Sequence, residues 1–169
     1  MNTKKLTLTA VFTAVAIALS TLENLVPISA FIPIPGLKLG IANLAMMSAY
    51  YIIGRKYAFF VGFLKVLTVF LTFGNVTSLL ISFTGTTLAF LSLMISEKVS
   101  MKLISFIGVS AFSAIFHAAG QIIAACIITG STAPAAIFLP LGLCSIATGA
   151  LTGMIMNLFY PVIKNKTEI

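Results

Sequence analysis

The side chains able to do chemistry in this 169-residue chain are few: the acids are Glu23, Glu97 and Glu168, Asp is absent, and the single histidine is His117. Such an inventory cannot build a catalytic metal site on carboxylates, and no Gly-x-x-x-x-Gly-Lys-Ser/Thr run is present to cradle a nucleotide phosphate. Cys126 and Cys144 lie in apolar runs without metal-ligand spacing and read as small buried packing residues. No metal and no cofactor is expected, which leaves binding chemistry. Lys65 stands deep in an apolar stretch, where a lysine costs roughly 2.5–3.5 kcal/mol at the bilayer centre. Thr68, Thr72 and Asn75 follow it at offsets of 3, 7 and 10, one face of a helix. A second stripe runs from Ser110 through Ser113, His117 and Gln121 at offsets of 3, 7 and 11. Glu23 and Asn24 close the first apolar stretch, Lys38 and Asn43 open the second, and Ser78 and Ser82 open the fourth.

The elements that must position these groups follow from composition. Hydrophobic residues make up 60% of the chain and charged ones 8%, with a mean hydropathy of +1.16, against roughly 25% charged in soluble domains. A soluble enzyme, a nucleic-acid module and a secreted disulfide scaffold are excluded. A helix needs about 20 apolar residues to span the hydrocarbon core. Charge, Gly and Pro divide the chain into segments at 6–24, 38–54, 57–74, 76–96, 102–129 and 135–161. The expected fold is therefore all-α, six transmembrane helices in a single domain covering 1–169. The first segment, behind Lys4 and Lys5, reads as a retained helix rather than a signal peptide, because further spans follow. Between Val26 and Gly36 three prolines interrupt apolar residues including Ile28, Phe31, Ile32 and Ile34, so that stretch reads as a structured apolar loop or lid.

Orientation comes from the cations, which give a net charge of +7. Lys4, Lys5, Arg55, Lys56, Lys98, Lys102, Lys164 and Lys166 fall on one side, and the positive-inside rule puts that side, with both termini, in the cytoplasm. The strong polar groups then converge on the outer half. A pore would need lining in both halves, so the pattern points to a cavity open outward and closed below. Its census of Lys38, Lys65 and His117 against Glu23 suits an anionic ligand. The aromatics of the third segment, Tyr57, Phe59, Phe60, Phe63, Phe70 and Phe73, either touch an apolar part of that ligand or simply face lipid. Structural alternatives stay open: Lys65 paired with Glu23 or a backbone carbonyl, and His117 with Gln121 or Ser113. Ala10, Ala14 and Ala18 make a smooth ridge at four-residue spacing, either packed inside the bundle or presented to a partner. Gly149 and Gly153 read as internal helix packing.

The run from Glu23-Asn24 through Pro33-Ile34-Pro35-Gly36-Leu37-Lys38-Leu39-Gly40-Ile41-Ala42-Asn43, then Gly54-Arg55-Lys56 and His117-Ala118-Ala119-Gly120-Gln121, resembles one membrane family over about residues 6–125. It is known as heptaprenyl diphosphate synthase component I, or the Gx transporter family. After the histidine that family favours Asn, where Ala118 stands here. The family in turn is similar to the S components of energy-coupling-factor (ECF) transporters. That likeness implies an S-component-like six-helix bundle in the bacterial cytoplasmic membrane, with an outward ligand site and a loop closing over it. Ala10, Ala14 and Ala18 match the Ala-x-x-x-Ala face that meets a transmembrane coupling subunit driven by two ATPases.

On this resemblance the ligand contacts are Glu23, Lys38, Asn43, Lys65, Thr68, Thr72, Asn75, His117 and Gln121, and the ligand is a small anionic or amphipathic nutrient of, for example, isoprenoid or quinone type. Prenyl chain elongation itself needs magnesium held on Asp-rich motifs, which a chain with no Asp lacks. The chain is therefore expected not to be an enzyme. Two other readings stand beside it. One is a non-catalytic membrane anchor for a prenyltransferase or electron-transfer complex, docked on the alanine ridge. The other is a stand-alone proton-coupled transporter using Glu23, Lys65 and His117, which the lack of an inner polar route disfavours. Membrane lipids are partners in every case, and nucleic acid in none.

Overall fold

The computed structural model describes residues 3–25, 38–98 and 105–167. The proline-interrupted stretch 26–37, with the lid expected there, and Lys102 and Glu168 lie outside the described residues. Those described form helices only: α1 (Thr3–Leu25), α2 (Asn43–Ile52), α3 (Arg55–Phe73), α4 (Val76–Lys98), α5 (Phe106–Thr129) and α6 (Phe138–Thr167), with a short 3-10 helix at Ala133–Ile137 leading into α6. All except α2 are long and apolar enough to cross a membrane. Large apolar side chains such as Leu71, Ile127, Leu139, Leu151 and Leu158 stay exposed along them. A soluble protein would hide such surface; here it meets lipid. The chain is an all-α, multi-pass membrane protein.

The second segment departs from the uniform span expected over 38–54. Only Asn43–Ile52 is helical, about 15 Å at 1.5 Å per residue. Residues 38–42 precede it as irregular backbone, with Lys38 and Ala42 buried. Backbone of this kind survives at membrane depth only inside protein, and the packing provides that shelter. The long helices follow one another around the bundle in the order α1, α3, α4, α5, α6, while α2 touches all five. Among the described residues α1 and α6 make no contact with each other. Being central, α2 buries nearly every side, including Ala45, Met46, Met47, Ser48, Ala49 and Tyr50.

The turns are written in glycine and asparagine. Gly74 ends α3 in the left-handed region (φ 64°) and its N–H donates to Phe70 O at 2.7 Å. Asn75 then caps α4, its Oδ1 accepting the Ser78 N–H at 3.1 Å. Helix–helix approach uses small residues where the GxxxG pair foretold it. A Cβ on Gly149 would lie 2.7 Å from Ala111 Cα, and one on Gly153 2.4 Å from Ile107 Cα, so α6 lies backbone to backbone on α5. The cysteines correct an expectation. Cys144 is exposed, and Cys126 is only half-buried at the edge of a small core cluster with Ile122, Ala125 and Leu141.

At one end of the bundle Arg55 pairs with Glu97 at 3.5 Å, Tyr50 donates to Glu97, and Phe106 packs on Tyr160 at 4.8 Å. The starts of α3 and α5 thus share an end with the finishes of α4 and α6. Arg55, Lys56, Lys98 and Lys164 gather there, as the charge pattern requires.

Candidate functional site

The site is built where α2 begins. From the start of α3, Lys65 is its eleventh residue of 19, about 15 Å along the helix and so near mid-depth of a core about 30 Å thick. Its Nζ donates to Asn43 Oδ1 and to Thr86 Oγ1, both at 3.1 Å. Asn43 is the first residue of α2, so the N-terminus of a helix, with its positive dipole end, opens inside the bundle beside a lysine. Broken helices that end at mid-depth line ion and substrate sites in transporters.

The irregular residues 38–42 are held there by side chains from distant elements. Gln121 on α5 clamps Lys38 at two points: Lys38 N–H donates to its Oε1 at 2.7 Å and its Nε2 donates to Lys38 O at 2.8 Å. Glu23 at the end of α1 accepts the Ile41 N–H at 2.7 Å. Thr148 on α6 donates to Leu39 O at 3.3 Å. The Asn43 N–H closes a turn onto Gly40 O at 2.9 Å. Main-chain groups at Lys38, Leu39, Gly40 and Ile41 that would otherwise be orphaned in the membrane thus find partners. Lys38 turns its Nζ toward Ser20 Oγ at 3.4 Å.

His117 sits between two glycines. A Cβ on Gly40 (φ 86°) would lie 3.1 Å from His117 Cδ2, and one on Gly85 2.9 Å from His117 Cε1. Only glycine leaves the ring that space. Next to it Gly120 lies on the Gly85 backbone, a Cβ there coming 2.8 Å from Gly85 Cα, which brings α4 and α5 together at the level of the ring. His117 Nδ1, Asn43 Nδ2 and Ser82 Oγ are buried without a hydrogen-bond partner of ordinary geometry among the described residues.

Of the residues singled out from the sequence, Glu23, Lys38, Asn43, Lys65, His117 and Gln121 come together, all at most 8% exposed. Ser110 and Ser113 lie below them on the same buried face of α5, bonded to Thr152 Oγ1 at 2.8 Å and Ala89 O at 3.2 Å. The stripe on α3 holds less well. Thr68 is half-buried without a bond to the cluster, Thr72 is exposed and donates to its own helix at Thr68 O (2.9 Å), and Asn75 is exposed and serves as the α4 cap. Helical phase carries these residues up the Lys65 face, but the last turns of α3 rise past the helices that cover it. The alternative of a Lys65–Glu23 pair is not realised: among the described residues the ion pair found is Arg55–Glu97.

Ser20, Thr86, Gly40 and Gly85 belong to the site and were missed. Hydroxyls in spans usually bond their own backbone, as Thr9, Thr13 and Thr84 do, so nothing in the sequence separates Thr86 from them. A usable signal was on α1, where Thr9, Thr13, Ala16, Ser20 and Glu23 alternate four and three residues apart and form its buried face. Ala10, Ala14 and Ala18 lie beside that stripe and are exposed among the described residues.

Chemically the cluster is short of acceptors. Two lysines face one glutamate, whose Oε1 already holds a backbone N–H. A lysine has three N–H donors, and Lys65 spends two. The Thr86 hydroxyl accepts from Lys65 and donates to no group among the described residues. Asn43 Nδ2 is unspent as well. Three donors around one point, next to a helix N-terminus, complement the oxygens of an anion.

No curated protein and no solved structure matches the chain at a significant level. The sequence model of one family does match, over residues 12–159. By that match, which covers most of its length, the chain belongs to the family of heptaprenyl diphosphate synthase component I.

Proposed function

We propose that this protein is the substrate-capturing subunit of an uptake system of the ECF kind, an S-component-like protein of the bacterial cytoplasmic membrane with both termini inside. It binds a small anionic, amphipathic nutrient reached from the outer half and is not itself an enzyme. The observation that carries this reading is the donor-rich cluster of Lys65, Thr86 and Asn43 at the start of a helix that begins inside the bundle. In the mechanism Lys65 and Lys38 meet the anionic group, Asn43 and His117 hydrogen-bond to it, and Glu23 and Gln121 hold the 38–42 backbone that carries Lys38. Thr68, Thr72 and Asn75 stand outward of that point on α3. Energy comes from elsewhere: a coupling subunit docks on the exposed Ala10, Ala14 and Ala18 face and is driven by two ATPases. The whole chain, 1–169, acts as one domain.

The test is native mass spectrometry of the gently purified protein beside its Lys65→Met variant. A small anion carried by the wild type and lost from the variant is the expected result. An empty wild type that travels with a soluble enzyme would refute it. The family name favours that second reading, a membrane component associated with a prenyl diphosphate synthase. There the exposed alanine face would seat the enzyme, and the magnesium-dependent chemistry would belong to the partner, because this chain contains no Asp.

A further inference from the structure

The described polar cluster has a second neighbour, on the lipid side. Between α3 and α4 runs a narrow crevice walled by Phe59, Phe63, Phe83 and Phe90, with Met46, Gly62 and Thr86 at its floor. Phe59, Phe63 and Phe83 are 43–52% exposed and form the mouth. Phe59 lies between Phe63, stacked at 6.3 Å, and Phe90, edge-on at 5.8 Å. Thr86 belongs to both places. One side of it lines the crevice, and its hydroxyl accepts from Lys65 Nζ. Gly62 has no side chain to thicken the wall, and a Cβ there would come 3.0 Å from Thr86 Cγ2 and 2.9 Å from Met46 Sδ.

Depth decides what can meet this mouth. Thr86 is the eleventh residue of α4's 23, so the crevice opens at the level of the hydrocarbon, where a water-soluble solute does not arrive. An apolar slot floored by Thr86, whose hydroxyl accepts from Lys65 on its far side, suits a molecule with a hydrocarbon tail and an anionic head.

We infer that the ligand is a single-tailed amphipathic anion that enters sideways from the bilayer, its tail lying in the α3–α4 crevice and its head reaching Lys65, Asn43 and Thr86 past the Thr86 wall. This deepens the proposed function and rests on it. Dispersion along four aromatic rings holds the tail. Rotation of the Thr86 side chain opens the wall and turns its O–H toward the head.

The test uses the full chain in phosphatidylcholine vesicles and dodecyl phosphate with a diazirine at the tail end. Ultraviolet labelling is expected on the α3 and α4 peptides holding Phe63 and Phe83. It should fall at least tenfold with excess unlabelled dodecyl phosphate, in Lys65→Met, and in Thr87→Trp, which fills the mouth from an exposed position and leaves the thermal midpoint unchanged. Labelling that persists in Lys65→Met would mark a slot for any acyl chain and overturn the inference. Loss in Lys65→Met but not in Thr87→Trp would place entry elsewhere and overturn it too. Absence of labelling, with native mass spectrometry still finding a Lys65-dependent water-soluble anion, defeats the inference and leaves the uptake reading standing. If neither experiment finds a ligand, both fail.

Discussion

Replacing Gln121 by Met tests whether one side chain holds the irregular segment 38–42 inside the bundle. The substitution keeps length and volume and removes both ends of the clamp. Lys38 N–H loses its acceptor at 2.7 Å and Lys38 O its donor at 2.8 Å, with the residue 5% exposed. A buried backbone group left without a partner costs about 1–3 kcal/mol, so the pair costs about 2–6 kcal/mol if the segment stays in place. Total stabilities are of order 5–15 kcal/mol, and the segment has a cheaper response. It can leave the bundle locally, giving up the bonds from Ile41 N–H to Glu23 and from Thr148 to Leu39 O. Hydrogen exchange of the 38–44 amides reads that opening directly. At 1.4 kcal/mol per tenfold, even the lower figure predicts exchange faster by about thirtyfold, while amides in the middle of α4 and α5 keep their rates. Equal exchange at 38–44 in wild type and variant would sink the clamp. A smaller loss, about 0.5–1.5 kcal/mol, is expected for Thr148→Val, whose hydroxyl shares its one hydrogen between Leu39 O at 3.3 Å and Ser145 O at 3.2 Å.

Two further outcomes follow from packing. Gly153→Ala puts a methyl against the α5 backbone, 2.4 Å from Ile107 Cα and 2.7 Å from Phe106 O, neither of which can swing aside; a loss of about 1–3 kcal/mol or more should lower the unfolding midpoint in detergent, whereas Gly142→Ala, with nothing within 4 Å, should not. Ala14→Trp enlarges an exposed face of α1 and should leave that midpoint and ligand retention unchanged while abolishing co-purification of the coupling subunit; a variant that still carries its partner removes the alanine ridge from the docking surface.

The fold was legible where apolar runs and helices coincide. Five segments became long helices because their breaks, Gly54-Arg55-Lys56 and Gly74-Asn75 among them, are turn and cap residues read locally. The second segment misled because hydropathy counts residues and not hydrogen bonds. Leu39 and Ile41 are as apolar as a helix requires, yet the backbone of this stretch is bonded by Gln121 at Lys38, Thr148 at Leu39 and Glu23 at Ile41, partners 83, 109 and 18 positions away. The α5 stripe was readable because neighbours cover that helix along its middle, and the outer α3 stripe was not because cover ends before Thr72. Gln121 shows the limit most clearly. Its type and face announced a buried polar role, but its amide is spent on main chain, and no side-chain pattern encodes a main-chain partner.

Lys65 separates a structural polar network from a binding site, because the fold alone gives little reason for a lysine there. A cation at mid-depth costs roughly 2.5–3.5 kcal/mol, and the adjacent α2 N-terminus, positive by its dipole, adds to that cost. Two hydrogen bonds offset part of it, and no carboxylate among the described residues lies within ion-pair distance. Lys65→Met removes the desolvation cost and leaves two acceptors, Asn43 Oδ1 and Thr86 Oγ1, without their donor, at about 1–3 kcal/mol each. At mid-range gain and loss nearly cancel, so the unliganded variant should unfold within about 2 kcal/mol of wild type while losing its anion. A structural lysine behaves otherwise. Breaking a buried pair that holds a fold together costs about 3–5 kcal/mol, and a fall of that size in the denaturation midpoint, with ligand retention tracking the folded fraction, would return Lys65 to the scaffold.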